Sequence, residues 1–201
     1  MFFELATLDL KPCALGTALE RLEPLVCAPR LLGCWYSVLG HRSRIFVLMR
    51  QSEQTDHEQA RRQAVANQGL MSIADVLEGI TIDTWSTLPC LPDIATGAFG
   101  SIYEFRFYDL HPMSALEAAY KGWAAVIQSR LDLAPITTVM HSVSGRVPRL
   151  LHVYPYRDLQ HRQEIRVQAI GTGLWPPKGG AARNQVMAAE IAVPAVFSPI
   201  H

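Results

Sequence analysis

Residues 2–12, FFELATLDLKP, and residues 102–112, IYEFRFYDLHP, carry the same alternation of apolar and polar positions and align without a gap. Successive side chains on a strand point to opposite faces, so this period of two predicts a strand in each segment. Glu4 falls on Glu104, Asp9 on Asp109, Leu10 on Leu110 and Pro12 on Pro112. The proline ends each strand because it cannot continue a central ladder. The correspondence resumes after a five-residue slip: CWYSVLGHRSRIFVLM (34–49) lies over VMHSVSGRVPRLLHVY (139–154). Ser37, Val38, Gly40 and Arg44 fall on Ser142, Val143, Gly145 and Arg149. Each segment reads as strand, glycine turn, strand, which is a β-hairpin. ARRQA (60–64) then lies over IRVQA (165–169) in a helical pattern.

Three collinear matches, each on the same kind of element, predict an internal repeat. The copies are 1–93 and 101–201, joined through PCLPDIATGAFG (89–100), whose Pro and Gly content marks a linker. Each copy reads as a strand (2–10; 101–110), a helix (14–28; 113–130), a hairpin (33–49; 136–155), a second helix (56–77; 158–169, with a further piece near 182–189) and a last strand (79–86; 190–197). Leu116, Tyr120, Trp123 and Ile127 recur at helical spacing and give one apolar face, and Ser114-x-x-Glu117 is a capping box before it. Pro24 falls inside the first helix and is expected to kink or shorten it. The order β-α-β-β-α-β is the ferredoxin-like arrangement, an α+β class in which helices cover one face of a four-stranded antiparallel sheet. The bare face needs a partner. A second copy supplies one, so the two sheets are expected to pack face to face around an enclosed space.

Composition narrows the partners. The chain has 201 residues, 49% hydrophobic, with 18 Lys+Arg balanced by 18 Asp+Glu. A neutral chain lacks the basic face that a nucleic-acid backbone requires, and Arg42–Arg44 and Arg61–Arg62 read as solvated surface. No apolar run is long enough to span a membrane. The N-terminus has acids at Glu4 and Asp9 in its apolar run and reads as a strand, not a signal peptide. Cys13, Cys27, Cys34 and Cys90 form no C-x-x-C pair, so neither a metal site nor a disulfide framework is expected, and reduced, mostly buried thiols in a cytoplasmic protein are.

Four pieces of the second copy resemble the NIPSNAP family of the dimeric α+β barrel superfamily. YEFRFYDLHP (103–112) is similar to the family's opening Y-E-x-R-x-Y strand. LLHVYPYRDL (150–159) resembles its third strand, LWPP (174–177) a Trp-Pro element, and FSP (197–199) the closing tail. The first copy keeps Glu4 but has Ala6 and Val47 where the second has Arg106 and His152. It resembles a degenerate copy. The resemblance implies a tandem, intrachain dimeric α+β barrel. It implies no particular chemistry, since relatives in the superfamily include cofactor-free monooxygenases, muconolactone isomerases and haem-binding proteins, and fold analogy does not carry activity.

Alternation puts Glu104, Arg106 and Tyr108 on one face of the opening strand and Tyr103, Phe105 and Phe107 on the other. The aromatic set is expected to face the helices, and the polar set the space between the sheets. There His152 and Tyr154 of the third strand join it, and the facing of His141 is open. One reading is a polar small-molecule pocket, supplied by the second half and walled by the first, with His152 available as a general base. The other is an interaction module in which Glu104 and Arg106 are a buried structural pair and His152 an ordinary core residue. Whether a reaction is catalysed stays open. No cofactor is implied, and homo-oligomers through outer edge strands are conceivable. Gly171-Thr172-Gly173 with PPKGG (176–180) reads as a surface loop, Trp175 as packing on its own domain, and Cys34 as a strand residue without a nucleophile's partners.

Overall fold

β1 (Phe2–Leu10), β2 (Leu31–Leu39), β3 (Arg44–Gln51) and β4 (Leu77–Thr87) come from the first half of the chain, with α1 (Leu15–Val26) after β1. β5 (Ile102–Leu110), β6 (Thr138–Ser142), β7 (Arg149–Tyr156) and β8 (Asn184–Pro194) come from the second half, with α2 (Ala115–Leu133) and α3 (Leu159–Gly171). The structure is a computed structural model that describes residues 1–26, 30–51, 73–111, 115–145, 148–177, 180 and 184–201. The strands form a closed antiparallel barrel in the order β1-β3-β2-β8-β5-β7-β6-β4. Each half therefore runs 4-1-3-2, the ferredoxin-like order, and the halves meet at two seams, β2–β8 and β4–β6.

The registers of the halves correspond. Glu4 lies opposite Met49 and Asp9 opposite Arg44, while Glu104 lies opposite Tyr154 and Asp109 opposite Arg149. α1 spans 12 residues with Pro24 inside it, against 19 for α2. The missing Pro24 N–H removes a bond to the preceding turn.

Several expectations need correcting. Residues 184–189 are not a helical piece but the start of β8. MAAE favours a helix in isolation, yet the segment pairs with β5 from Tyr103 opposite Ala192 to Leu110 opposite Asn184, and a ladder with a distant strand outweighs propensity. The expected first-half second helix lies mostly outside the described residues; at its end Ala74–Val76 form a single 3-10 turn and Leu77 already begins β4. The capping Ser114 and Cys27 also lie outside. Cys34 is buried, Cys90 half-buried, but Cys13 is exposed in a turn with φ 61°. The outer edge strands expected to pair chains are absent from the barrel, because both seams close.

The largest correction concerns facing. Tyr103 and Phe105 point into the barrel, with Phe107 packed against the same cluster. Phe105 stacks on Phe46 at 4.4 Å between ring centroids and meets Trp35 edge-on at 5.3 Å. Phe3, Leu48, Trp85, Met140, Leu151 and Val153 fill the rest. The polar alternates lie outside, under the helices. An eight-stranded barrel has an interior just wide enough for side chains to fill. It is the driest place in the molecule, so it takes the aromatic rows. Alternation defines two faces but cannot say which one the closure will enclose.

The seams explain the repeated Ser, Gly and Arg positions. Arg44 on β3 reaches across β2 to Glu190 on β8 and also holds Asp9 at 2.6 Å. Arg149 on β7 reaches across β6 to Asp83 on β4. Glu190 and Asp83 occupy matching places, opposite Phe105 and Leu5. The Ser37 hydroxyl accepts the Arg44 N–H at 2.9 Å, and the Ser142 hydroxyl accepts the Arg149 N–H at 3.0 Å. Gly40 and Gly145 leave room for the carboxylates: an added Cβ would meet Glu190 Oε2 at 2.9 Å and Asp83 Oδ1 at 2.5 Å.

Gly145 has φ +74°, where a Cβ costs about 1–2 kcal/mol before any clash. Urea denaturation of Gly145→Ala is therefore expected to show a loss of about 2 kcal/mol or more. Gly16→Ala is the control, since its Cβ meets nothing within 4 Å; it should be neutral or stabilising. A Gly145→Ala protein as stable as wild type would refute the seam as described.

Candidate functional site

β5 and β7 are neighbours, with Arg106 opposite His152 and Glu104 opposite Tyr154. Their outward rows put Glu104, Arg106, Tyr108, His152, Tyr154 and Tyr156 beneath α2 and α3. Asp158 starts α3 by accepting the His161 N–H at 2.7 Å. From there Arg162, Ile165, Arg166 and Ala169 share one helix face turned toward the sheet.

Glu104 is fully buried. Arg106 Nη1 donates to its Oε1 at 2.8 Å, Arg162 Nη2 donates to the same oxygen at 2.6 Å, and Arg166 Nη1 stands 4.0 Å from Oε2. Burial opposes its charge, but the Arg162 hydrogen bond and the Arg106 charge outweigh burial and hold the carboxyl below its ordinary range. Arg106 Nε also donates to the Tyr108 hydroxyl at 2.6 Å, which leaves the hydroxyl's own hydrogen available to another acceptor.

His152 sits among rings, 4.6 Å from Tyr108 and 5.0 Å from Trp123 between centroids. Its Nδ1 is 3.0 Å from the Tyr154 hydroxyl, and its Nε2 has no partner among the described residues. With the hydroxyl donating, the ring's hydrogen sits on Nε2 as an open donor. Burial, with Arg106 adding to it, pushes the imidazole down to about 3, so the ring stays neutral at pH 7. Burial likewise pushes the Tyr154 hydroxyl well up and keeps it protonated.

Above this row lies a cavity of about 350 Å³. Arg106, Tyr108, His152, Tyr154 and Tyr156 form its floor. Ala119, Trp123 and Arg130 of α2, with Ile165, Arg166 and Ile170 of α3, form its roof. Trp175 closes one side, edge-on to Trp123 at 5.1 Å. Met187 and Ile170, both more than half exposed, mark the mouth.

Four of the five residues singled out from sequence, Arg106, Tyr108, His152 and Tyr154, thus line one cavity, while Glu104 lies behind it and anchors the arginines. The cavity is not between the sheets, and the first half does not wall it: its lining runs from Arg106 to Met187. Glu4 and Glu104 do not approach each other either. Glu4 lies on the outer face of β1 and accepts from Gln51 Nε2 at 2.6 Å. His141 stands apart, its Nδ1 3.3 Å from the Ser142 carbonyl. Sequence reasoning missed Arg130, Tyr156 and Arg166. Arg130 had a legible signal: it continues the stripe Leu116, Tyr120, Trp123, Ile127 at the next apolar position.

Glu104→Gln leaves Arg106 and Arg162 without their counter-charge. Breaking a buried pair from one side costs about 3–5 kcal/mol, and partial exposure of Arg162 puts the expectation at the lower end. Because the folded carboxyl is depressed, its stabilisation is present above the ordinary carboxylate range and is lost as pH falls through the folded value. The gap between wild type and Glu104→Gln in urea denaturation should therefore be large at pH 7 and shrink toward pH 3. A gap independent of pH would refute an ionised Glu104. In an NMR titration, His152 should stay neutral until pH about 3; a midpoint near 6.5 would place it in contact with water.

The NIPSNAP family model matches residues 103–199. No curated protein matches the chain. Among solved structures, a presumed monooxygenase from Fusobacterium nucleatum subsp. nucleatum is 9% identical, with 96% of this chain and 91% of that one covered and a TM-score of 0.65. A presumed monooxygenase from Lactobacillus acidophilus NCFM is 10% identical, with 96% and 93% covered and a TM-score of 0.61. A NIPSNAP family protein with unknown function from Agrobacterium tumefaciens is 26% identical, with 51% and 96% covered and a TM-score of 0.45. The first two share the dimeric α+β barrel fold along nearly the whole chain. The match to the NIPSNAP family model thus takes in the cavity floor and both helices above it.

Proposed function

We propose that the second half of this chain binds a small, mainly apolar molecule in the cavity between the outer face of β5–β7 and the helices α2 and α3. The observation that carries this reading is the cavity itself. It holds about 350 Å³, is walled by aromatic and aliphatic side chains, and has a few polar groups converging on it. That is the usual build of a small-molecule site. The polar groups are chiefly donors: the Tyr108 hydroxyl, the Arg106, Arg130 and Arg166 guanidiniums and, with Tyr154 donating to Nδ1, His152 Nε2. A His152 pushed down to about 3 is a poor proton acceptor at neutral pH, which favours recognition over general-base chemistry by that ring. The presumed monooxygenases share only the fold, so oxygenation is not carried to this chain.

We read the chain as two diverged copies, 1–93 and 101–201. The matching registers and the matching seam residues support this. The first copy has Ala6 opposite Val47 where the second has Arg106 opposite His152, and its outer face packs apolar residues under α1. The alternative, an interaction module without a ligand, draws support from the filled barrel interior. The outer cavity favours the first reading.

A thermal-shift screen of small aromatic fragments tests it. A ligand present at 100 times its Kd adds about 2.7 kcal/mol, which raises Tm by several degrees in a protein of this size. Ala119→Phe, placed in the cavity roof, should abolish the shift. Fragments that stabilise wild type and Ala119→Phe alike would rule this cavity out.

A further inference from the structure

Arg130 stands apart from the other arginines of the second half. It is 4% exposed and lies in the last turn of α2, at the position where the apolar stripe of that helix would continue. Its Nη1 donates to the Ala134 carbonyl at 2.9 Å, and its guanidinium carbon stands 5.0 Å from the centre of the Tyr154 ring. Arg106 and Arg162 share the carboxylate of Glu104. Among the described residues no carboxylate lies within 4.0 Å of Arg130. Buried charges are ordinarily paired. The helix end offers Arg130 only a partial negative charge, about half an elementary charge, and one carbonyl. Arg130 is among the residues that line the cavity.

The surroundings do not redress the balance. Among the described residues, the ionised groups around the cavity are Arg106, Arg130, Arg162 and Arg166 against the single carboxylate of Glu104. His152 contributes no charge at neutral pH. The cavity walls include the rings of Trp123, Tyr154, Tyr156 and Trp175, and Tyr154 lies against Arg130. An excess of positive charge enclosed by aromatic faces fits a flat apolar body that ends in an anionic oxygen group.

We propose that the cavity takes a ring-bearing carboxylate, with Arg130 as the group that binds its anion. This rests on the cavity being a binding site, as argued above. A planar guanidinium matches a carboxylate with two parallel N–H···O bonds. Arg130 has most of its fork uncommitted, whereas Arg106 spends its donors on Glu104, Tyr108 and Met187. The ring of the ligand lies against Trp123 and Trp175, and any longer apolar portion leaves past Ile170 and Met187 at the mouth.

The test compares 2-naphthoate, 2-naphthamide and 2-naphthyl phosphate by titration calorimetry, on wild type, Arg130→Met and Arg130→Lys. Wild type should bind the acid about tenfold or more tightly than the amide, the difference a charge-assisted bond supplies. Arg130→Met should lose that preference while keeping its affinity for the amide, and Arg130→Lys should keep part of it. Equal binding of acid and amide by wild type overturns the anion assignment while leaving the binding site in place. Tighter binding of the phosphate than of the acid overturns the carboxylate. A preference undiminished in folded Arg130→Met removes Arg130 from the role. Binding of none of the three overturns the binding site as well. The acid-to-amide ratio of wild type decides the charge question even if Arg130→Met fails to fold.

Discussion

Two arginine straps close the barrel, and the rest of the architecture follows from that closure. Arg44 ties β3 to Glu190 across one seam, and Arg149 ties β7 to Asp83 across the other. Both ion pairs are at least three-quarters buried, so screening by salt is weak and removal of one partner is costly. Burial pushes the Glu190 carboxyl up even with Arg44 beside it, which is the cost of seating a charge at a dry seam. Glycine in the preceding turn and serine on the preceding strand make the strap possible, the first by leaving space and the second by fixing the arginine's backbone N–H. Closure has a further benefit, since a barrel has no strand edge left to recruit another chain.

Closure also decides where polar chemistry can be. Once eight strands form a ring, the middle of the interior is cut off from water, and it fills with Phe46, Phe105, Trp35, Trp85 and their neighbours. The outward residues are covered only by helices, which rest on the sheet at a distance set by their own side chains. Where that cover is made of large rings and long arginines it does not seal, and in the second half it leaves the cavity over His152 and Tyr154. In the first half Ala6, Leu8, Leu10 and Val47 meet Ala18 and Leu22 of α1 in an apolar layer. Among the described residues, the same backbone plan thus supports an apolar contact under α1 and a lined cavity under α2 and α3, through differences at a few outward positions.

Much of this was legible in the chain. The alternation in 2–12 and 102–112, the hairpins and the order of elements led to the ferredoxin-like plan and to the residues that gather at the cavity floor. Besides the facing of the polar row, two elements were misjudged. Residues 184–189 of β8 read as helical by themselves, but local propensity is weak evidence against a ladder that forms with a distant strand. Arg130 is easily passed over because a charged residue at the end of a helix ordinarily reads as solvated, although its place on the apolar stripe of α2 points to burial.

The sequence by itself determined which side chains share a face, because strand periodicity is a local property of the backbone. It paired Glu104 with Arg106 and His152 with Tyr154, and it set the two halves in parallel. The tertiary structure decided which of the two faces is inside. That choice depends on how the sheets close, on β2 meeting β8 and β4 meeting β6, and these contacts join residues more than fifty positions apart. Hence the same five residues that alternation grouped together lie under helices, not between sheets, because the closed interior admits no unpaired polar row and the helix-covered face does.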